Sequence, residues 1–194
     1  MPRIDAPTVA EHHRRRRAAL MAAGRTLLAE HGAEAVTPAA VGAAAGIARS
    51  SVYQYFPSSG ELLAAIVEDA FASAAERLTA AMAGARTPRG RLDAYLRASF
   101  ALATDSEHRM FDGIDPASLP PATRARIAAL HREQTAPLVD AVRDAGIPEP
   151  TIAAQLVSGL LGASSRVVAS GADPEVALAL LMRAVRKGVV PDPA

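Results

Sequence analysis

The sequence predicts an all-α protein of about nine helices in two domains, and three observations carry that prediction. Apolar residues recur at i, i+3 and i+4 along most of the chain, the spacing of one face of a helix. Half of the 194 residues are hydrophobic and only 4% aromatic. With abundant alanine, that composition favours closely packed helices over sheets. Glycines and prolines fall between the periodic segments and punctuate them. A chain of this length can bury a substantial core in one or two compact units.

Residues 1–12 hold two prolines and no periodicity, so they read as a flexible arm. A basic run, Arg14 to Arg17, then opens a helix that continues to about Glu30, with Leu20, Ala23, Leu27 and Leu28 as its inward stripe. His31-Gly32 ends it. Two short helices follow between Thr37 and Phe56. A long amphipathic helix runs from Glu61 to about Ala83, and Thr87-Pro88 restarts the chain into a helix of about 89–103. Residues 104–121 are the least regular part. A helix over about 121–145 contains Pro137, which is expected to kink it. The last pair spans about 151–169 and 175–187, the second introduced by Asp173-Pro174. This divides the chain into an arm (1–12), a small three-helix domain (13–60) and a larger helical domain (61–190).

The stretch from Thr37 to Leu63 is the most informative. Thr37 suits an N-cap, its hydroxyl accepting from a backbone N–H of the first turn, and Pro38 suits the first helical position. Val41 and Ala45 share a face, Gly42 leaves room for a close neighbour, and Gly46 suits a left-handed C-terminal cap. Ile47 plugs the turn. A second helix from about Arg49 turns Val52 and Phe56 inward and stops at Pro57. Helix, glycine turn and helix make a helix-turn-helix. With Val52 and Phe56 inside, Ser50 and Gln54 point outward, Ser51 and Tyr53 lie on the flanks, and Arg49 and Tyr55 sit near the shoulders. Gln can bond adenine bidentately and Ser can meet several base edges. Arg49, Ser51 and Tyr53 are placed for phosphate oxygens. The face carries no acid, which suits a helix entering a major groove.

These residues resemble the DNA-binding domain of the TetR/AcrR family of bacterial repressors. The family's T-x-x-x-[IV]-A-x-x-A-G-[VI] appears as Thr37-Pro-Ala-Ala-Val41-Gly-Ala-Ala-Ala45-Gly46-Ile47, and its L-Y-x-Y-F-x-s-K-e-x-L as Val52-Tyr-Gln-Tyr-Phe56-Pro-Ser-Ser-Gly-Glu-Leu62. The resemblance implies an N-terminal helix-turn-helix DNA-binding domain and a helical ligand-binding and dimerisation domain. It places the start of the first helix beside the DNA backbone, so Arg15 and Arg16 join Thr37, Arg49, Ser50, Ser51, Tyr53, Gln54 and Tyr55 as candidate DNA-binding residues. Two departures stand out. Gly42 replaces the usual alanine, which is expected to weaken its helix by roughly 1 kcal/mol. Ser59 replaces a lysine that usually meets a phosphate, though Ser58 and Glu61 form a capping-box pattern there.

Net charge is only +1, but residues 1–60 carry seven arginines against four acids, the right asymmetry for a nucleic-acid partner. With no cysteine, disulfides, thiol catalysis and Cys-ligated zinc are excluded. No apolar run approaches the roughly eighteen residues of a membrane helix, and the apolar stretch after Arg17 is interrupted by Arg25, Glu30 and His31. The expectation is a cytoplasmic protein without a membrane partner. No G-x-S-x-G, H-E-x-x-H or phosphate loop is present, and Ser164-Ser165 reads as helix packing, so no enzyme, metal or cofactor is expected.

In the larger domain, Phe100, His108, Arg109, Phe111, His131 and Gln134 are candidates for an effector pocket, apolar with a few polar groups. Solvated surface or loop polarity is the plain alternative. The helix over 151–169 is apolar around much of its circumference and needs partners on more than one side. The resemblance implies that the last two helices pair with their mates in a homodimer, through Leu156, Gly159, Leu160, Ala163, Val167 and Leu181. Composition alone would allow internal core. The expected activity is a ligand-responsive transcriptional regulator, a repressor released from a palindromic double-stranded operator by a partly apolar small molecule. The alternative is a helical small-molecule-binding protein with a vestigial head.

Overall fold

The computed structural model describes residues 9–105, 119 and 121–189. Among them are eight α-helices: α1 (Val9–His31), α2 (Pro38–Ala45), α3 (Arg49–Val52), α4 (Ser59–Ala83), α5 (Pro88–Thr104), α6 (Pro121–Asp144), α7 (Pro150–Ala169) and α8 (Pro174–Ala184). A 3₁₀ turn, Ala33–Ala35, follows α1, and a π-helical turn, Val185–Val189, follows α8. The described residues within Met1–Asp69 and Met110–Ile127 form one compact unit, and those within Ala70–Arg109 and Ala128–Ala194 form another. The division falls inside α4 and α6. It keeps the first turns of α4 with the head, whereas the sequence-based boundary at 60/61 gives them to the body.

In the first unit, α1 starts earlier than expected, so residues 9–12 are helical and not part of a flexible arm. Glu11 supplies the reason. It sits in the first turn, where a carboxylate complements the helix dipole, and it pairs with Arg14 at 2.6 Å and Arg15 at 3.2 Å. The inward stripe is Leu20, Met21, Gly24 and Leu28; Leu27, expected inside, is only half-buried. A Cβ on Gly24 would come within 2.6 Å of Ile66 Cδ1, so the bare glycine lets α4 close onto α1. Val36, Val41, Val52, Phe56, Leu62 and Ile66 complete this small core, each contributing roughly 1.5–3 kcal/mol by burial. At the rim Arg25 meets Asp69 at 2.5 Å, and Arg126 meets Glu68.

In the second unit, α5, α7 and α8 pack with residues 70–83 of α4 and 128–144 of α6 around Leu78, Leu92, Leu96, Phe100, Leu138, Val142, Val157, Leu161, Leu181 and Val185. Thr87 caps α5 by accepting from Gly90 N at 3.0 Å. Asp173 caps α8, accepting from Glu175 N and Val176 N. Pro137 lies within α6, which runs on to Asp144. Bidentate Arg186–Asp93 and the 2.5 Å Arg91–Asp144 pair tie the exposed edges.

α7 has two apolar faces. Ala153, Ala154, Val157 and Leu161 are buried, while Ile152, Leu156, Leu160 and Val167 are exposed. By length and composition α7 could cross a membrane, which corrects the expectation that no segment approaches that length. Its few polar residues are too sparse to break the average. A soluble helix with one face buried and another awaiting a partner passes the same test.

Candidate nucleic-acid interface

The local chemistry that builds the turn is the chemistry the sequence specifies. Thr37 Oγ1 accepts from Ala40 N at 3.2 Å, and Pro38 occupies the first turn of α2. Gly46 adopts the left-handed conformation at φ 67°, and Ile47 N donates back to Gly42 O at 2.8 Å. A Cβ on Gly42 would stand 2.8 Å from Ile47 O and 2.8 Å from Val52 Cγ2. Gly42 is therefore more than a weak helix former: its bareness sets how closely the turn and α3 approach α2.

The recognition element is shorter as an α-helix than expected. α3 ends at Val52, and the chain continues to Phe56 as tightened turns, with Gln54 N donating to Ser51 O and Tyr55 N to Val52 O. Phe56 N still donates to Val52 O at 3.0 Å, but Pro57 has no N–H to offer Tyr53 O, so the helix is not continued. The side-chain pattern survives this tightening. Val52 and Phe56 are buried, Arg49, Ser50, Tyr53 and Gln54 are exposed, and Ser51 and Tyr55 are half-buried. Arg49 donates to Tyr53 Oη at 3.2 Å with its guanidinium 5.8 Å from the ring centre. These two side chains thus share one flank.

Sequence reasoning missed two supports. His13 of α1 stacks on Tyr55 with ring centres 4.4 Å apart, and the Arg17 guanidinium lies 5.5 Å from the Phe56 ring centre. Both join residues about forty apart, and no local pattern announces them. Arg15 is exposed and held by Glu11, and Arg16 is exposed beside it. At the start of α4, Glu61 N donates to Ser58 Oγ at 3.2 Å. The Glu61 carboxylate reaches 3.8 Å from Arg126.

In the second unit, Phe100 is buried in the core, and Gln134 is half-buried with its backbone carbonyl accepting from the Tyr95 hydroxyl at 3.3 Å. His131 is exposed overall, but its ring meets Phe71 edge-on at 4.6 Å, and this cover lowers its pKa below the ordinary 6.5. His108, Arg109 and Phe111 lie outside the described residues. Tyr95 and Ser99, not singled out by sequence as polar groups, share one face of α5. Burial raises the Tyr95 pKa, with the Ser99 side chain opposing. Ser99 Oγ is buried without a partner of good hydrogen-bond geometry, so we read its approach to Tyr95 as a close contact and not a bond. A tyrosine on an inward stripe needs a partner for its hydroxyl, and that was the available signal.

Of the residues expected at a dimer interface, Leu156, Gly159, Leu160 and Val167 are exposed and Ala163 is half-buried. Leu181 is a correction: it is buried in the chain's own core. Val176 and Leu180, four apart and each more than half exposed, occupy the free face of α8 instead.

An all-helical protein with a helix-turn-helix head and an acid-free recognition face belongs among DNA-binding regulators. Residues 20–66 match the family model of bacterial regulatory proteins, tetR family, so the head is similar to that family's DNA-binding domain. No curated protein matches it. Solved structures share its fold. The transcriptional regulator FadR of Bacillus subtilis, in complex with stearoyl-CoA, is 15% identical, with 89% of this chain and 98% of that one covered and a TM-score of 0.76. A transcriptional regulator of Saccharomonospora viridis in complex with choline is 16% identical, with 91% and 98% covered and a TM-score of 0.78. A TetR-family transcriptional regulator of Streptomyces coelicolor is 19% identical, with 95% and 94% covered and a TM-score of 0.77.

Proposed function

We propose that the protein is a cytoplasmic, ligand-responsive transcriptional repressor that binds a palindromic operator as a homodimer. The observation that carries this reading is the recognition turn itself. Ser50 and Gln54 are free at its apex, Arg49 with Tyr53 stands on its flank, and the whole sits within a head that matches the tetR family. Gln54 and Ser50 read base edges, while Arg49, Tyr53, Arg15 and Arg16 hold phosphates. Thr37 and Tyr55 complete the surface, Tyr55 with its ring steadied by His13.

Dimerisation follows from the unpartnered faces of α7 and α8. Six large apolar side chains there are over a third exposed, among them Leu156 at 60% and Val176 at 56%. Such patches mark association surfaces, and a twofold copy supplies an identical face. The effector would be a partly apolar small molecule held in the body near Phe100, His131 and Gln134, with Tyr95 and Ser99 as added polar contacts. Relatives of the same fold are described in complex with stearoyl-CoA or choline, which supports a small-molecule role for the body. α4 is one unbroken helix from Ser59 to Ala83 and is the lever this reading uses. An effector that favours one tilt of it lowers operator affinity through its differential binding to two states.

The test is binding of the full-length protein to DNA flanking its own gene, across a salt series and with footprinting. A protected near-palindrome, with affinity falling steeply as salt rises, is the expected result. A folded dimer that protects no site on any candidate operator refutes the reading and leaves a helical small-molecule-binding protein.

A further inference from the structure

A concavity, apart from the recognition turn and the effector residues, lies between α5 and α8. It has a volume of about 510 Å³, inside the roughly 300–1,000 Å³ range of small-molecule sites. One wall is a single helical stripe, residues 175, 178, 179, 182, 183, 186 and 187, which follows the i, i+3, i+4 rule without a gap. The stripe is graded along its length. Glu175 stands at its start, Leu178, Ala179 and Met182 form an apolar middle, and Arg183, Arg186 and Lys187 crowd its end. Arg97 joins them from α5.

The charges decide what the groove can hold. Arg186 is neutralised by its bidentate pair with Asp93. Among the described residues, Arg97, Arg183 and Lys187 have no ion-pair partner. Cations at a helix C-terminus complement the dipole, which accounts for Arg183 and Lys187 but not for Arg97 on another helix. Like charges gathered at one concavity repel one another, and a bound anion relieves that repulsion. The chain also leaves α-helical geometry here, in the π turn Val185–Val189 that carries Arg186 and Lys187. Such turns concentrate at functional sites.

We propose that this groove binds a small anionic amphiphile, with its carboxylate or phosphate among Arg97, Arg183 and Lys187 and its alkyl chain along Leu178, Ala179 and Met182. From Glu175 to Arg183 the helix rises about 12 Å, about the length of an eight- to ten-carbon chain. The site stands independently of DNA binding, because it can be read by direct ligand titration.

The experiment is calorimetric titration of the full-length protein with octanoate, octyl phosphate, octanol and inorganic phosphate. One of the two charged amphiphiles is expected to bind at least about tenfold more tightly than octanol or phosphate alone, since the charge-assisted contacts to its head group are together worth a tenfold change or more. The tighter of the two identifies the head group. The double variant Arg97→Gln/Arg183→Gln is expected to lose about tenfold or more while melting like wild type. Should that pair fold poorly, the exposed Lys187→Gln is expected to lose about threefold alone. Octanol binding as tightly as octanoate, unchanged affinity in folded Arg97 and Arg183 variants, or no binding of either anion at roughly millimolar concentration overturns the proposal.

Discussion

Gly42→Ala separates two accounts of the same residue, and they differ in sign. Helix propensity alone gives alanine an advantage of roughly 1 kcal/mol over glycine inside a helix. On that basis the substitution stabilises α2 and raises the melting temperature by about 2–4 °C for a chain of this size. The packing gives the opposite answer. The new Cβ would sit 2.8 Å from Ile47 O and 2.8 Å from Val52 Cγ2, where carbon atoms prefer contacts of about 3.5–4.0 Å. Neither neighbour gives way easily. Ile47 O belongs to the residue whose N–H donates to Gly42 O at 2.8 Å, and Val52 is fully buried. Relieving the overlap means moving the turn and α3 outward by several tenths of an ångström. Overpacking of this kind costs about 1–3 kcal/mol, which cancels or exceeds the propensity gain. The expected net effect is therefore between about zero and 2 kcal/mol of destabilisation. Operator affinity should also fall, because the base-reading face moves with α3. Calorimetric melting and operator titration measure the two effects. A melting temperature raised by the full propensity gain, with unchanged operator affinity, would refute the packing argument.

Three further outcomes follow from named contacts. Gln54→Ala is expected to cost about 1–3 kcal/mol at one base pair and relax the preference there, whereas Arg16→Ala weakens all sequences alike and lowers the salt slope by about one; titration of operator variants over salt tells them apart. Leu156→Glu places a charge on the exposed face of α7 and should yield a monomer by analytical ultracentrifugation, while Gln155→Glu, exposed on the same helix, leaves the dimer intact. A dimeric Leu156→Glu protein would move the interface elsewhere. For His131 the sign is set by its lowered pKa. The native state prefers the neutral ring, so the unfolded chain takes up its proton first as pH falls below 6.5, and stability is lost below that point. His131→Gln should flatten this part of the urea-midpoint profile between about pH 8 and 5. Its contribution is small, because the residue is exposed overall, and superimposable profiles would refute it.

The head was legible because its devices are local. A threonine cap acts three residues ahead, a glycine needs φ > 0 at its own position, and Val52 and Phe56 face inward by helical spacing. Each is visible within a window of a few residues. The misreadings in the head have equally physical causes. Periodicity cannot distinguish Leu27 from Leu28 as the core residue when both lie near the inward stripe. Two prolines hid the helical start at Val9, which Glu11 stabilises through its pairs with Arg14 and Arg15.

The body resists the same reading because its chemistry is assembled from distant segments. Phe71 covers His131 from sixty residues away, and Tyr95 reaches the carbonyl of Gln134 across 39 positions. Arg186 finds Asp93 across 93. A polar residue on an amphipathic helix looks alike in sequence whether it meets solvent, a buried hydroxyl or a ligand. Leu181 shows the same limit for apolar residues. It sits on a stripe shared by the core and the free face, and only the packed structure assigns it to the core while leaving Leu180 outside. One-residue resolution between two apolar faces requires knowing the rotation of the helix against its neighbours. That rotation is fixed by the packing that also takes Ala177 and Met182 into the shared core, not by the helix's own sequence.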